Sequence, residues 1–195
     1  DYGFGVYTQI ITNKFADHLP LYRGEDIFAR AGMMIPRNTQ FGMLVNIAAL
    51  VAPLLALMRS RVLSGRVIGV DDTSVRMQDA SIPGKMRTAR FWLYRGREDH
   101  PYNVFDFTEN RGRDGPAGFL SDFHGHAVVD AYGVKDGVYL GKENQIFAAC
   151  CNCHARRKFV EAQPNDPVAA AQAMAIYRGL YDVEDRAKEA SAEER

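Results

Sequence analysis

Over the first 65 residues apolar positions recur at helical spacing, with almost no strand-like alternation. Val6, Ile10, Phe15 and Leu19 fall roughly on one face of a helix that Pro20 stops. A second short helix is predicted between Gly24 and Gly32, two residues of poor helix propensity. After Pro36, Asn38 or Thr39 can cap a long apolar segment that runs to Leu63, where Ser64 and Gly65 end it. Pro53 is expected to bend that segment or to mark a boundary between two helices.

From Arg66 the pattern changes to short β-rich runs. Arg66 to Asp71 is apolar at consecutive positions, like a strand covered on both faces, and ends in acid. Thr73 to Gln78 is read as a return beside it, Pro83-Gly84 as a turn, and Thr88 to Tyr94 and Tyr102 to Thr108 as two further strands. Pro116 to Phe123 reads as a short helix, Ala127 to Asp130 as a strand that again ends in acid, and Gln145 to Ala149 as another strand. Two helices close the chain, one from about His154 to Ala162, the other from the cap and first-turn pair Asp166-Pro167 through Tyr181. The tail from Asp185 to Arg195 is expected to be solvated and frayed. Antiparallel strands first, parallel strands later and helices on both faces is the order of a ribonuclease H-like mixed sheet. The fold class expected is therefore α/β, with a helical segment at 1–65 and a ribonuclease H-like domain at 66–195.

Composition narrows the partners. Of 195 residues 47% are apolar and 25% charged, the balance of a globular protein with one sizeable core. Lys plus Arg and Asp plus Glu both number 24, so a nucleic-acid partner must be argued from local clusters and not from total charge. The longest apolar run, Ile47 to Met58, has 12 residues with a proline inside. A membrane span needs about 20, so a core helix and no membrane partner are expected. Three cysteines packed into 150–153 cannot form a disulfide framework, and no charged segment followed by an apolar core opens the chain, so a cytoplasmic setting is expected. The chain opens at Asp1 without a Met and reads as a piece of something longer.

The chemistry lies in the acids. Asp71 and Asp130 are each placed at the C-terminal end of an apolar strand, where α/β sheets put their sites, and on neighbouring strands their carboxylates would converge. A third carboxylate on a packed helix would complete a site for two divalent ions, as phosphodiester chemistry requires. Glu184 is that candidate, because Met174, Tyr177, Leu180 and Tyr181 repeat at three and four residues and Glu184 continues their face. Strand alternation points Asp72, the competitor of Asp71, the opposite way.

With these residues the chain resembles the insertion sequence 66 family of bacterial DDE transposases over nearly all its length. The matching stretches are 19–23 (LPLYR), 27–30 (IFAR), 70–73 (VDDT), 91–94 (FWLY), 129–132 (VDAY), 154–159 (HARRKF) and 180–184 (LYDVE). The resemblance implies Asp71, Asp130 and Glu184 as the acidic triad, Mg2+ or Mn2+ as cofactor with two ions at the site, and double-stranded DNA, element ends and target alike, as partner. It further implies an active homo-oligomer at the bacterial nucleoid. Asp72 stands where the family usually has Glu, which keeps an acid beside Asp71.

Cys150, Cys151, Cys153 and His154 lack the second ligand pair of a tetrahedral zinc site, and the thiols are read as buried at a strand end. His154 follows the last strand and is expected near the acids or a phosphate. Arg156, Arg157 and Lys158 form the densest basic cluster, balanced between a solvated helix face and DNA phosphate contact. Arg111 and Arg113 form a weaker one, and Gly112 and Gly115 beside them read as loop glycines. Two further readings stay open: an inactive DNA-binding remnant, and a ribonuclease H-like nuclease that cuts without joining.

Overall fold

A computed structural model describes residues 2–79, 81–97, 100–110, 112, 114–130, 146–188 and 190–191. The chain divides into two compact units, Asp1–Met58 and Arg59–Arg195.

The first unit is helical. Helix α1 (Phe4–Ile11) passes into a π-helical turn (Thr12–Ala16), so the expected single helix up to Pro20 is broken into two geometries, and Phe15 turns out to solvent while Ile10 is buried. Helix α2 (Leu21–Arg30) follows, and with α3 (Arg37–Leu63) it encloses a small core of Ile10, Phe28, Ile35 and Met43. Gly24 lies inside α2 instead of bounding it. The reason is a close approach: a Cβ there would come within 2.5 Å of Gln40 Oε1, whose buried side chain donates through Nε2 to the Ile35 carbonyl at 2.9 Å. Gly32 ends α2 as expected, in a left-handed conformation with Met33 N–H bonded to Phe28 O and Gly32 N–H to Ala29 O.

Helix α3 is continuous through Pro53, so that proline marks no boundary between helices. Nor is α3 a core helix, because Phe41, Leu50, Leu54 and Leu57 are more than half exposed. Its 27 residues and a mean hydropathy of 2.2 over the most apolar window are those of a helix long and apolar enough to cross a membrane. The short run inside it understates its length, because Phe41 to Val45 extend the apolar stretch toward the N-terminus.

The second unit is built on a five-stranded sheet of order β3-β2-β1-β4-β5. Its strands are β1 (Val67–Gln78), β2 (Met86–Gly96), β3 (Asn103–Thr108), β4 (Gly125–Val129) and β5 (Ile146–Cys150). Strands β1, β2 and β3 pair antiparallel, while β1–β4 and β4–β5 pair parallel. The fold class is thus mixed α/β. β1 does not end at Asp71 with a separate strand returning at Thr73. It runs unbroken to Gln78: no Gly or Pro interrupts 71–78, β-branched Thr73 and Val75 favour extension, and Arg90 on the neighbouring strand holds Asp72 in the ladder. Its return is β2, reached through the Pro83-Gly84 turn.

One face of the sheet carries Ile68, Val70, Trp92, Tyr94, Val104, Ala127 and Val129, all buried. Helix α4 (Asp114–Phe119) and the turn after it cover that face with Phe119, Leu120 and Phe123, and the rings of Tyr94 and Phe119 stack at 3.5 Å. Gly115 belongs to α4 and not to a loop: its backbone presses on the sheet, where a Cβ would meet Thr108 Cγ2 at 2.5 Å and the Trp92 indole nitrogen at 3.3 Å. Helices α5 (Asn152–Ala162) and α6 (Pro167–Arg186) follow β5 and pack on each other, with Phe159 against Tyr177. The start of α6 is the expected one, Asp166 accepting from Ala169 N–H at 3.0 Å before Pro167. Its end lies at Arg186, beyond Tyr181.

Trp92 is fully buried and donates its indole N–H to Thr108 Oγ1 at 2.8 Å. Trp92→Ala should lower unfolding free energy by about 3–5 kcal/mol, through lost burial and the cavity left behind. Trp92→Phe should cost about 1–2 kcal/mol, since most of the volume remains and one hydrogen bond goes. Urea denaturation followed by circular dichroism checks both.

Candidate functional site

The site begins with the alternation of β1. Ile68 and Val70 point into the core, which sends Asp71 to the opposite face and returns Asp72 to the core side. Asp72 has only 1% of its side chain exposed and is held by Arg90, whose guanidinium donates to Oδ2 at 3.0 Å across the β1–β2 pair. Asp71 has 54% of its side chain exposed, and its Oδ1 accepts the Asp72 backbone N–H at 2.9 Å. The two adjacent acids thus have different surroundings: one is a neutralised partner of the core, the other faces solvent.

The parallel register does the next step. Val67, Ile68 and Gly69 pair with His126, Ala127 and Val128, and the same register carried two residues further sets Asp71 opposite Asp130. Both acids then lie on the face away from the buried aromatics. Asp71 is therefore mid-strand, just past the end of the parallel pairing. β5 extends the arrangement, because Cys151 N–H bonds to Val129 O at 2.8 Å and the chain turns at once into α5. Its first turn carries His154, whose Nε2 lies 3.9 Å from Asp71 Oδ1. One ligand atom each from Asp71, Asp130 and His154 all fall within 4.8 Å of one another. Two carboxylate oxygens and an imidazole nitrogen at that spacing suit a divalent cation such as Mg2+ or Mn2+, which take oxygen ligands readily, the latter accepting nitrogen as well.

Glu184 is not brought to this group. It lies exposed near the end of α6, and Leu180, expected on the inward face, is 53% exposed. The face that α6 turns to α5 is carried by Met174, Tyr177, Arg178, Tyr181 and Asp182, to one side of Glu184. The thiols also differ from expectation. Cys150 and Cys153 are exposed and Cys151 half-buried, because β5 is the edge of the sheet and α5 begins in solvent. Cys153 Sγ lies 3.4 Å from the Tyr181 hydroxyl, and this hydrogen bond holds the phenol above its ordinary pKa.

The basic cluster divides. Arg156 and Arg157 line a cleft of about 550 Å³ between α5 and α6, together with Arg178 and Tyr181. Lys158 instead pairs with Glu161 at 2.7 Å on the solvent side of α5. Arg178 gives no signal in the sequence because no basic residue lies near it along its helix. Only the packing of α6 on α5 joins it to the pair. Arg111 and Arg113 lie outside the described residues.

A family model described as "Transposase IS66 family" matches residues 2–195, and the chain belongs to that family. Two relatives from Sinorhizobium fredii (strain NBRC 101917 / NGR234) are similar along it. "Uncharacterized protein y4qI" is 29% identical over 94% of this chain and 36% of its own length, and "Uncharacterized protein y4jD" is 30% identical over 95% and 38%. The chain thus spans a little over a third of the length of these curated relatives. No solved structure matches it.

The contrast between the neighbouring acids is open to measurement. Asp72→Ala strands Arg90 on a largely covered surface and should cost about 1–3 kcal/mol of stability. Asp71→Ala removes an exposed group and should stay within about 0.5 kcal/mol of the parent. Denaturation midpoints of the two variants give the answer.

Proposed function

We propose that the chain is the catalytic domain of a DNA transposase of ribonuclease H-like fold, which cleaves a strand at the end of an insertion sequence and joins the freed 3′-hydroxyl to target DNA. The observation that carries this reading is the approach of Asp71 and Asp130 to within 4.8 Å of each other, just past the parallel pairing of β1 with β4, in a chain that belongs to a transposase family. Strand order supports the fold assignment: three antiparallel strands, then two parallel ones, with the acids on β1 and directly after β4.

Asp71 and Asp130 would hold divalent metal, Mg2+ or Mn2+ and two ions in the complete site, and Glu184, exposed near the end of α6, would be the third acid of the triad. Metal bound there would supply activation of the attacking oxygen and stabilisation of the leaving one. The protein's own work is positioning. Asp71 is fixed by the β1 ladder and by the Asp72 N–H, and Asp130 by the β4–β5 pairing next to it. Neither needs to reorganise as charge develops on the phosphate, and that is where such sites gain their rate. DNA lies along the arginine side of α5, with Arg156 and Arg157 making phosphate contacts and Arg178 extending them. Lys158, already paired with Glu161, contributes less, and His154 sits where the basic helix meets the acids. The active form is a homo-oligomer at the bacterial nucleoid.

Asp71→Asn and Asp130→Asn in the full-length protein should each lower strand cleavage and joining by orders of magnitude while leaving DNA binding nearly intact. Glu184→Gln should do the same. Cleavage and joining of labelled element-end DNA, beside a DNA-binding titration, reads all three. Harmless Asp changes would refute the transposase reading, and cutting without joining would leave a nuclease.

Replacing Arg156 and Arg157 together by Ala should weaken DNA binding and flatten its salt dependence. The slope of log affinity against log salt should fall by about 1–2, roughly 0.9 for each phosphate that is no longer neutralised. An unchanged slope would return the cluster to a solvated helix face.

A further inference from the structure

We propose that His154 is a direct metal ligand through Nε2, so that the ion held by Asp71 and Asp130 has a carboxylate–carboxylate–imidazole set. The inference rests on the metal-dependent reading above and gives His154 a role beyond contact with DNA.

The distance is the first argument. His154 Nε2 and Asp71 Oδ1 are 3.9 Å apart, beyond hydrogen-bond reach. For ligands about 2.1 Å from one octahedral ion, separations run from about 3.0 Å for neighbouring positions to about 4.2 Å for opposed ones. The observed 3.9 Å falls inside that range, and the 4.8 Å limit on all three atoms lies a few tenths of an ångström beyond it. The groups are spaced as ligands around a common centre, and not as a hydrogen-bonded pair.

Placement is the second. The Cys151–Val129 bond brings the first turn of α5 against the end of β4, so a residue of that turn must face the acids. His154 is 30% exposed by side chain, with Nε2 toward Asp71. Its Nδ1 is buried with no hydrogen-bond partner among the described residues. Glu184, exposed on α6, does not compete for the place in this arrangement.

A nitrogen ligand changes metal preference. Mg2+ favours an all-oxygen shell, while Mn2+ accepts imidazole, so the site should bind Mn2+ more tightly than Mg2+ and owe that margin to His154. The test uses full-length protein without DNA: Mn2+ binding followed by electron paramagnetic resonance, with pulsed measurement of 14N coupling to the bound ion. The parent should bind Mn2+ with an imidazole 14N signal. His154→Ala should lose the signal and at least about tenfold in Mn2+ affinity, while Mg2+ affinity, read by competition, falls less. His154→Gln, which keeps a polar side chain of similar reach, should also lose the signal, and it carries the test if the Ala variant does not fold by circular dichroism. Persistence of the 14N signal without His154, unchanged Mn2+ affinity, or no Mn2+ binding by the parent overturns the proposal. Because no DNA is cut, such a result is separate from failure of strand cleavage: inactive protein with an intact 14N signal would refute the transposase and leave the ligand assignment standing.

Discussion

The alternation of β1 is the constraint on which the site depends. Ile68 and Val70 are buried under Phe119, Leu120 and Phe123, and a slip of one residue would send both to the open face. That cost locks the strand, and once it is locked Asp71 has no choice of side. The parallel pairing with β4 then extends the same decision to Asp130. Two carboxylates are brought together by apolar residues that point to the opposite face of the sheet, so the mutual repulsion of the acids is met by burial of the core on the other side.

The strand also has to carry a second acid on its core side. Asp72 follows Asp71 directly and alternation sends it inward, where an unpaired carboxylate would be costly. Arg90, diagonal to it on β2, removes the cost by pairing at 3.0 Å while keeping some of its own surface in water. The pair leaves Asp72 a structural acid and keeps the strand extended beyond Asp71, so that the site sits mid-strand with the antiparallel ladder to β2 holding it from the far side.

What is legible in the sequence follows from which signals are local. The order of strands, the start of α6 at Asp166-Pro167 and the convergence of Asp71 with Asp130 can be read, because apolar runs, a cap pair and acids at the edge of buried strands are written in adjacent residues. The extent of β1 is misread because Asp71, Asp72 and Ser74 look like turn residues, while Arg90, which holds Asp72 in the strand, is 18 residues from it. Gly24 and Gly115 look like breakers because the groups they admit, the Gln40 amide and the Trp92 indole, come from elsewhere in the chain. Counting from Tyr181 and Leu180 places Glu184 inward. The helix in fact turns Arg178, Tyr181 and Asp182 toward α5, and a small error in phase is enough to move a residue from the seam to solvent.

The neutral total charge is compatible with a DNA-handling surface once the charges are followed to their places. Acids and bases are equal in number, and two local groups stand out: Asp71 and Asp130 meet beyond the parallel pairing, while Arg156, Arg157 and Arg178 line a cleft with Asp182. His154 joins the two regions, with its ring at the acids and its helix carrying the arginines two and three residues later. The same helix carries both His154 and the arginines, so the packing of α5 against the end of β4 sets the distance between the arginine cleft and the two acids.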